Sequence, residues 1–339
     1  MAQRSTDRYA ARMAGDEDTD LTGTGIDDQS WAATRVWVEK GLPEGNRIES
    51  AERLCGGWTS EMRRLRVTGP DGMDGLVLRS FVKPFFLRHA EGLLTREADI
   101  LTLLGGTEVP AATLRAVDAT ARYCDHPSLL MSLLPGGVRL DEDGAEQRAD
   151  LLARQLVLIH RVRVSERTRP RSYQAWTSPE RVRVPEVTGR PALWHRAVDV
   201  IRRDPPDHRA CFLHRDFHPG NVLFTGDGDE LRVSGVVDWV ETSWGPADLD
   251  VAHCSTALAL LYGAPAGMLF ADRYAAAGGR LTADPTAHLY WRTLDALAFA
   301  PDAEKVAEPW RELGRTDLTP ALLTSRLEDY LQALFDRYG

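Results

Sequence analysis

Asp216, Asn221 and Asp238 are the residues of this 339-residue chain whose types and spacing point to a reaction. They stand in Leu213-His214-Arg215-Asp216-Phe217-His218-Pro219-Gly220-Asn221-Val222-Leu223 and, a short hairpin later, in Gly235-Val236-Val237-Asp238-Trp239. An aspartate, an asparagine shortly after it and a second aspartate on an apolar strand are the working parts of metal-assisted phosphoryl transfer. That reaction asks for little covalent help; it rests on in-line positioning and on neutralising charge with a divalent metal. Mg²⁺ takes hard oxygen donors, and Asn221 with Asp238 supplies one amide and one carboxylate. Asp216 then remains as the base. An unshifted aspartate is a weak base, so its role is to orient the acceptor hydroxyl and take its proton late, as the O–P bond forms. Pro219-Gly220 lets the chain reverse between Asp216 and Asn221.

The same run admits two other readings. His214-x-Asp216-x-His218 alternates ligand types at the spacing of one strand face, as half of a zinc or iron site would. It also reads as an ordinary strand and turn whose polar groups bond locally. Asn221 and Asp238 fit phosphoryl transfer better than either.

HRDFHPGNVL followed by GVVDWVETSWGPADLDVAHC resembles the aminoglycoside phosphotransferase family of small-molecule kinases, which shares its fold with protein kinases. That family carries a His, Asp, His, Pro, Asn run, then an Asp-Trp pair, then a Gly-x-x-x-x-Asp-hydrophobic-Ala segment, and all three occur here in order. The resemblance implies Asp216 as catalytic base, Asn221 and Asp238 as holders of Mg²⁺, and ATP or GTP as phosphoryl donor. It implies an α+β, protein-kinase-like bilobal fold, with a small N-lobe of β-sheet plus helix and a mainly helical C-lobe. His214 resembles the residue that props the catalytic loop from below, and Asp250 an acid that braces the same loop through its amides. His218 reads either as part of the acceptor pocket or as a packed, turn-stabilising histidine.

A base and a metal site need a nucleotide held beside them. Leu54-Cys55-Gly56-Gly57-Trp58-Thr59-Ser60-Glu61 lies between strand-like segments and resembles the family's phosphate-covering hairpin. Gly56 and Gly57 would let amides approach phosphate oxygens, and Thr59 and Ser60 would add hydroxyls. The strand-like segment 76–83 puts Arg79 and Lys83 on one face by period-two alternation. The family pairs a lysine with the α- and β-phosphates from this strand; here Arg79 aligns best and Lys83 competes. Glu97, on a helix read over 93–104 and stopped by Gly105-Gly106, matches the acid that orients this cation. The apolar segment ending at Pro135-Gly136-Gly137 reads as a hinge, and the resemblance implies that Met131 and Leu133 line the purine pocket.

The length accommodates two packed lobes. The expected organisation is an acidic, disordered tail over 1–27, an N-terminal nucleotide-binding lobe over 28–134 and a catalytic and substrate-binding lobe over 135–339. Within these, 31–43 reads as an amphipathic helix, and helices are expected over 148–162, 252–262, 266–276, 285–300 and 320–338. His160 reads as a cap or packing residue. The Arg-, Pro- and Ser-rich stretch 167–191 reads as a long loop near the site.

Four cysteines lack metal or disulfide-framework spacing and read as reduced thiols. No apolar leader or span approaches the roughly 20 residues that cross a bilayer, so the expectation is a cytoplasmic protein without a membrane partner. A net charge of −9 argues against nucleic-acid binding. The implied partners are a nucleotide and a small molecule offering a hydroxyl; the sequence specifies no oligomeric state. Glu241, Asp248, Asp295, Asp302, Glu304, Glu308 and Glu312 would suit a cationic acceptor, and Trp244, Tyr290, Trp291 and Trp310 a sugar, nucleoside or macrolide, unless these acids are surface charges and these rings core. The resemblance implies antibiotic inactivation or, alternatively, a metabolic kinase for sugars, amino acids or choline-like alcohols. A protein kinase is disfavoured, because no Asp-Phe-Gly and Ala-Pro-Glu pair frames an activation loop. A catalytically silent nucleotide-binding protein of the same fold is the other alternative.

Overall fold

The computed structural model describes residues 29–54, 60–70, 72–186, 188–301 and 303–339. The expected tail over 1–27 lies outside them. The described residues divide into two compact units, one within 29–135 together with 237–240, the other within 136–236 and 241–339. Asp238 therefore belongs to the same unit as Arg79 and Glu97.

The N-terminal unit is an antiparallel five-stranded sheet with helices. Helix α1 (Ala32–Gly41) leads into β1 (Arg47–Leu54), β2 (Glu61–Gly69), β3 (Gly72–Ser80), α2 (Pro84–Leu104), β4 (Leu114–Asp118) and β5 (Ser128–Ser132), with sheet order β1-β2-β3-β5-β4. Trp31, Val38, Ile48, Leu65, Leu76, Leu78 and Leu130 form its core. Strand β3 is central, and its last five residues, Leu76 to Ser80, are all buried. That burial carries Arg79 inside the unit. Helix α2 opens with Pro84 at its first position, where the missing N–H costs nothing. Its buried residues Ala90, Leu93, Leu94, Glu97, Ala98, Leu101 and Leu104 recur at helical spacing, so Glu97 lies in the middle of the apolar stripe. The helix begins nine residues before the sequence reading placed it. The strand ends at Ser80, and Lys83 is the exposed cap residue of α2 rather than a strand residue.

The C-terminal unit is mainly helical. Its elements are α3 (Ala145–His160), α4 (Pro191–Ile201), β6 (Ala210–Leu213), β7 (Val222–Thr225), β8 (Arg232–Val236), β9 (Ser243–Pro246), α5 (Ala247–Tyr262), α6 (Ala264–Ala276), α7 (Pro285–Ala298), α8 (Glu304–Glu312) and α9 (Pro320–Tyr338). Strands β6 and β9 pair, as do β7 and β8. Helix α5 is the axis: every residue from Ala247 to Leu261 is buried, and α6, α7 and α9 pack on it. A helix buried on all faces is apolar all round, so the polar residues it does carry need partners. Gly267 permits the α5–α6 approach, because a Cβ there would stand 2.4 Å from the Ser255 carbonyl.

Helix α5 starts five residues before the expected 252, so Asp248 and Asp250 sit in its first turn, where carboxylates meet the positive end of the helix dipole. Helices α4 and α8 were not expected. Among the described residues of 161–190 no helix or strand forms, in line with the long loop. No helix among the described residues is long and apolar enough to cross a membrane. Cys124, Cys211 and Cys254 are free thiols, and burial pushes all three above the ordinary range.

Candidate functional site

The loop that follows β6 is fixed from below by one carboxylate. Asp250 Oδ2 accepts the His214 amide and Oδ1 the Arg215 amide, both at 2.8 Å. Arg215 takes a left-handed conformation, φ +73°, which non-glycine residues rarely adopt and which turns the chain between these amides and Asp216. Burial would raise the Asp250 carboxyl; the hydrogen bond and charge of His160, with His214 and Arg215, outweigh it and hold the acid below its ordinary range. His160, expected as a cap or packing residue, lies within hydrogen-bond distance of both Asp250 Oδ2 (3.1 Å) and the Tyr274 hydroxyl (2.7 Å). It is the last residue of α3, so three helices meet the loop through Asp250.

Above that brace, the loop is tied to itself. The Asp216 amide donates to His214 Nδ1 at 3.2 Å, Asn221 Nδ2 donates to the Asp216 carbonyl at 2.8 Å, and the Gly220 amide donates to His218 Nδ1 at 3.1 Å. Glycine is required at 220 by close approach: a Cβ would meet the His218 ring at 2.7 Å and Trp310 of α8 at 3.2 Å. His214, Asp216 and Asn221 are thus interlocked through main-chain groups, which fixes where the Asp216 carboxylate emerges.

The Asp216 side chain meets a residue that the sequence reading missed. His253 of α5 has Nε2 at 3.2 Å from Asp216 Oδ1 and Nδ1 at 3.1 Å from Asp295 Oδ1. Asp295 of α7 is buried, and its other oxygen accepts the Thr256 hydroxyl at 2.7 Å. Burial opposes a charge on His253, but Asp295 and Asp216 outweigh it and raise the imidazole to about 9. Asp216, His218 and His253 offer ligand atoms within 4.8 Å of one another. His214 does not join them, its Nδ1 being engaged by the Asp216 amide. His218 Nδ1 is taken by Gly220 and both His253 nitrogens face carboxylates, an arrangement of hydrogen bonds rather than of metal ligation.

In the N-terminal unit the charged residues also converge. Arg79 Nη1 donates to both Glu97 oxygens at 2.6 and 2.7 Å, Nη2 to Asp238 Oδ1 at 3.1 Å, and Nε to the Ser60 hydroxyl at 3.0 Å. Burial disfavours the charge on Arg79, yet Glu97 and Asp238 hold its proton more firmly than usual. Burial pushes the Glu97 carboxyl up, against the pull of Arg79. Asp238 has φ +64°, a second left-handed non-glycine residue among the candidates. Ser60, expected on the phosphates, spends its hydroxyl on Arg79, while Gly56, Gly57 and Thr59 lie outside the described residues. Met131 pairs with Val77 and Leu114 across the sheet, and the Leu133 amide donates to the Gly75 carbonyl at 2.8 Å.

The donors expected for Mg²⁺ suit a hard cation. Asn221 uses Nδ2 as donor to the loop, which leaves its amide oxygen as the acceptor atom. The Asp238 carboxylate retains 23 % exposure and carries a charge that a single guanidinium shares with Glu97. Both are oxygen ligands of the kind Mg²⁺ takes. The acids read as candidates for a cationic acceptor divide. Asp248 and Asp295 are buried, and burial raises the Asp248 carboxyl; Glu304 pairs with Arg311 and Glu241 with Arg171. Tyr290, Trp291 and Trp310 are core residues.

A model of the phosphotransferase enzyme family matches residues 50–297. Among solved structures, the chain is similar to an amicoumacin kinase held with AMP-PNP, Ca²⁺ and its antibiotic, with 10 % identity over 96 % of both chains and a TM-score of 0.58. A thermostable mutant of an aminoglycoside phosphotransferase, in ternary complex with ADP and hygromycin B, gives 15 % identity over 85 % of this chain and 95 % of the other, TM-score 0.55. A macrolide 2′-phosphotransferase from Brachybacterium faecium gives 20 % identity over 82 % and 91 %, TM-score 0.50. At these identities the likeness is one of fold. No curated protein sequence matches the chain.

Proposed function

Since the chain belongs to the phosphotransferase enzyme family of small-molecule kinases, with a protein-kinase-like fold, we propose that it moves the γ-phosphoryl group of ATP or GTP to a hydroxyl of an antibiotic, with Asp216 as the base. The observation that carries the assignment is the way Asp216 is held. Its amide is on His214, its carbonyl on Asn221, its carboxylate beside His253 and its loop on Asp250. A base that acts late in the transfer contributes mainly by orienting the acceptor, and orientation is what such tethering supplies.

Roles follow residue by residue. Asn221 and Asp238 are the oxygen donors for Mg²⁺, which when bound offsets the charge of the triphosphate. Arg79, set by Glu97, is the cation for the phosphates, in place of the family's lysine; a guanidinium can bridge two oxygens where an ammonium meets them as a point charge. Gly56, Gly57 and Thr59 are assigned to the phosphate cradle, Ser60 to holding Arg79 beside it, and Met131 and Leu133 to the purine. The antibiotic acceptor is supported by fold neighbours that carry hygromycin B, amicoumacin or the name of a macrolide kinase. The enzyme is proposed to act in the cytoplasm, with a nucleotide-binding lobe over 28–134 that also takes in 237–240 and a catalytic lobe over the rest of 135–339.

The test is nucleotide consumption with Mg²⁺ and ATP or GTP against aminoglycosides, macrolides, nucleoside antibiotics, sugars and choline-like alcohols, with Asp216→Ala as control. Acceptor-dependent ADP or GDP release that disappears in Asp216→Ala is the expected result. Turnover on a metabolic alcohol alone would replace the antibiotic reading, and turnover that survives Asp216→Ala would remove Asp216 from the base role.

A further inference from the structure

One buried helix supplies two supports to the candidate base. Asp250 and His253 are three residues apart on α5 and so lie on one face, Asp250 reaching the loop amides and His253 the Asp216 carboxylate. The His253 ring has no room to turn: it stacks on Phe299 (centroids 5.7 Å, 21°), and Trp176 meets it edge-on at 4.9 Å. Its far nitrogen is held by Asp295, itself tied through its second oxygen to Thr256.

A neutral imidazole has one N–H and one lone pair, and an ionised carboxylate only accepts. A ring with a carboxylate oxygen at each nitrogen is matched only when both nitrogens carry hydrogen. The charged and titratable groups around it are Asp216 and His218 from the catalytic loop and Asp295 from α7. Arg215 lies over the Trp176 ring at 4.1 Å. Two acids touch the ring, and the raised affinity of His253 for its proton agrees with that balance.

We propose that His253 is a positioning residue for phosphoryl transfer: an imidazolium clamped between Asp295 and Asp216 that fixes the Asp216 carboxylate in one orientation and keeps it ionised. This rests on the reading of Asp216 as the base. The logic is that of a hydrolase triad run outward, a buried acid holding a histidine that in turn holds the reacting group. Deprotonation of His253 would leave a lone pair against an anion and release Asp216 from its set direction.

The deciding experiment is a pH titration of the histidine ring nitrogens by NMR in the full ¹⁵N-labelled chain, with the His253 signals assigned by their loss in His253→Gln. Both nitrogens are expected to be protonated at neutral pH and to titrate near pH 9, and Asp295→Asn should lower that midpoint by about one pH unit or more. In parallel, ADP release from Mg-ATP with water as acceptor should show an alkaline limb that moves down with the NMR midpoint in Asp295→Asn. A neutral ring with a single N–H at pH 7.5, or a limb that stays put while the midpoint moves, overturns the proposal. A ring that titrates as expected beside undiminished hydrolysis in Asp216→Ala would instead overturn the base assignment beneath it.

Discussion

Arg79 and Asp238 are 159 residues apart in sequence and 3.1 Å apart in space, Nη2 to Oδ1, within a guanidinium whose other nitrogen is held by Glu97. The network is buried, so removing one member strands the others. Arg79→Leu should destabilise the fold by about 3–5 kcal/mol, because Glu97 is left buried without a counter-charge, held only by the Trp239 amide. The double change with Glu97→Leu should cost less than the two single costs together. Urea unfolding of the three variants measures both.

Asp250 holds two amides with one carboxylate. In Asp250→Asn one amide would face an NH₂ group instead of an oxygen, at a cost of about 2 kcal/mol. Because these bonds aim the loop, turnover should fall by about a hundredfold while the KM for nucleotide stays near the parent value. Steady-state kinetics and a melting curve on the same sample separate the two effects.

His253 also couples folding to pH. Its folded-state affinity for a proton is raised to about 9 from an ordinary 6.5. The resulting stabilisation is full below the unfolded value and is lost as pH rises through the folded one. It amounts to about 3 kcal/mol at its largest. Unfolding free energy should therefore fall between pH 6.5 and pH 9.5, and the slope should flatten in His253→Gln. Urea titrations at several pH values in that window test the sign.

Removing divalent metal with a chelator should stop nucleotide turnover, and added Mg²⁺ should restore it. Asn221→Ala should raise the Mg²⁺ concentration for half-maximal rate by at least about tenfold. Asp238→Ala should abolish turnover and, by freeing Arg79 of one partner, also alter stability. Rates across a Mg²⁺ series distinguish a weakened metal site from a misfolded protein.

The sequence made the catalytic run, the strands of the sheet and the Glu97 helix legible because each has a local signature. Examples are a fixed spacing, an alternation, and an apolar stripe at helical period with Glu97 inside it. His253 had none. It lies on a helix buried on every face, where no polar side marks a residue as out of place, and its partner Asp295 is 42 residues away. The start of α5 lies five residues before the expected one because Asp248 and Asp250 precede the apolar run that marks the helix; Asp250 itself, expected to brace the loop amides, does accept them from within the first turn. Lys83 looked like a strand residue by alternation alone, but the strand gives way to a helix whose first residue is Pro84. Ser60 and Arg79 were read as separate ligands of phosphate; their hydrogen bond is tertiary and leaves no trace in either neighbourhood.

The assignment of residues 237–240 to the N-terminal unit has a bearing on how such enzymes can be recombined. A chimera cut after residue 135 would inherit Arg79 and Glu97 from one parent and Asp238 from the other, so the buried charge network would be assembled from two lineages. Lobe exchange within this fold is therefore a matter of three splice points, at 135/136, 236/237 and 240/241, and a graft that moves the short tetrapeptide with its sheet would keep the network intact.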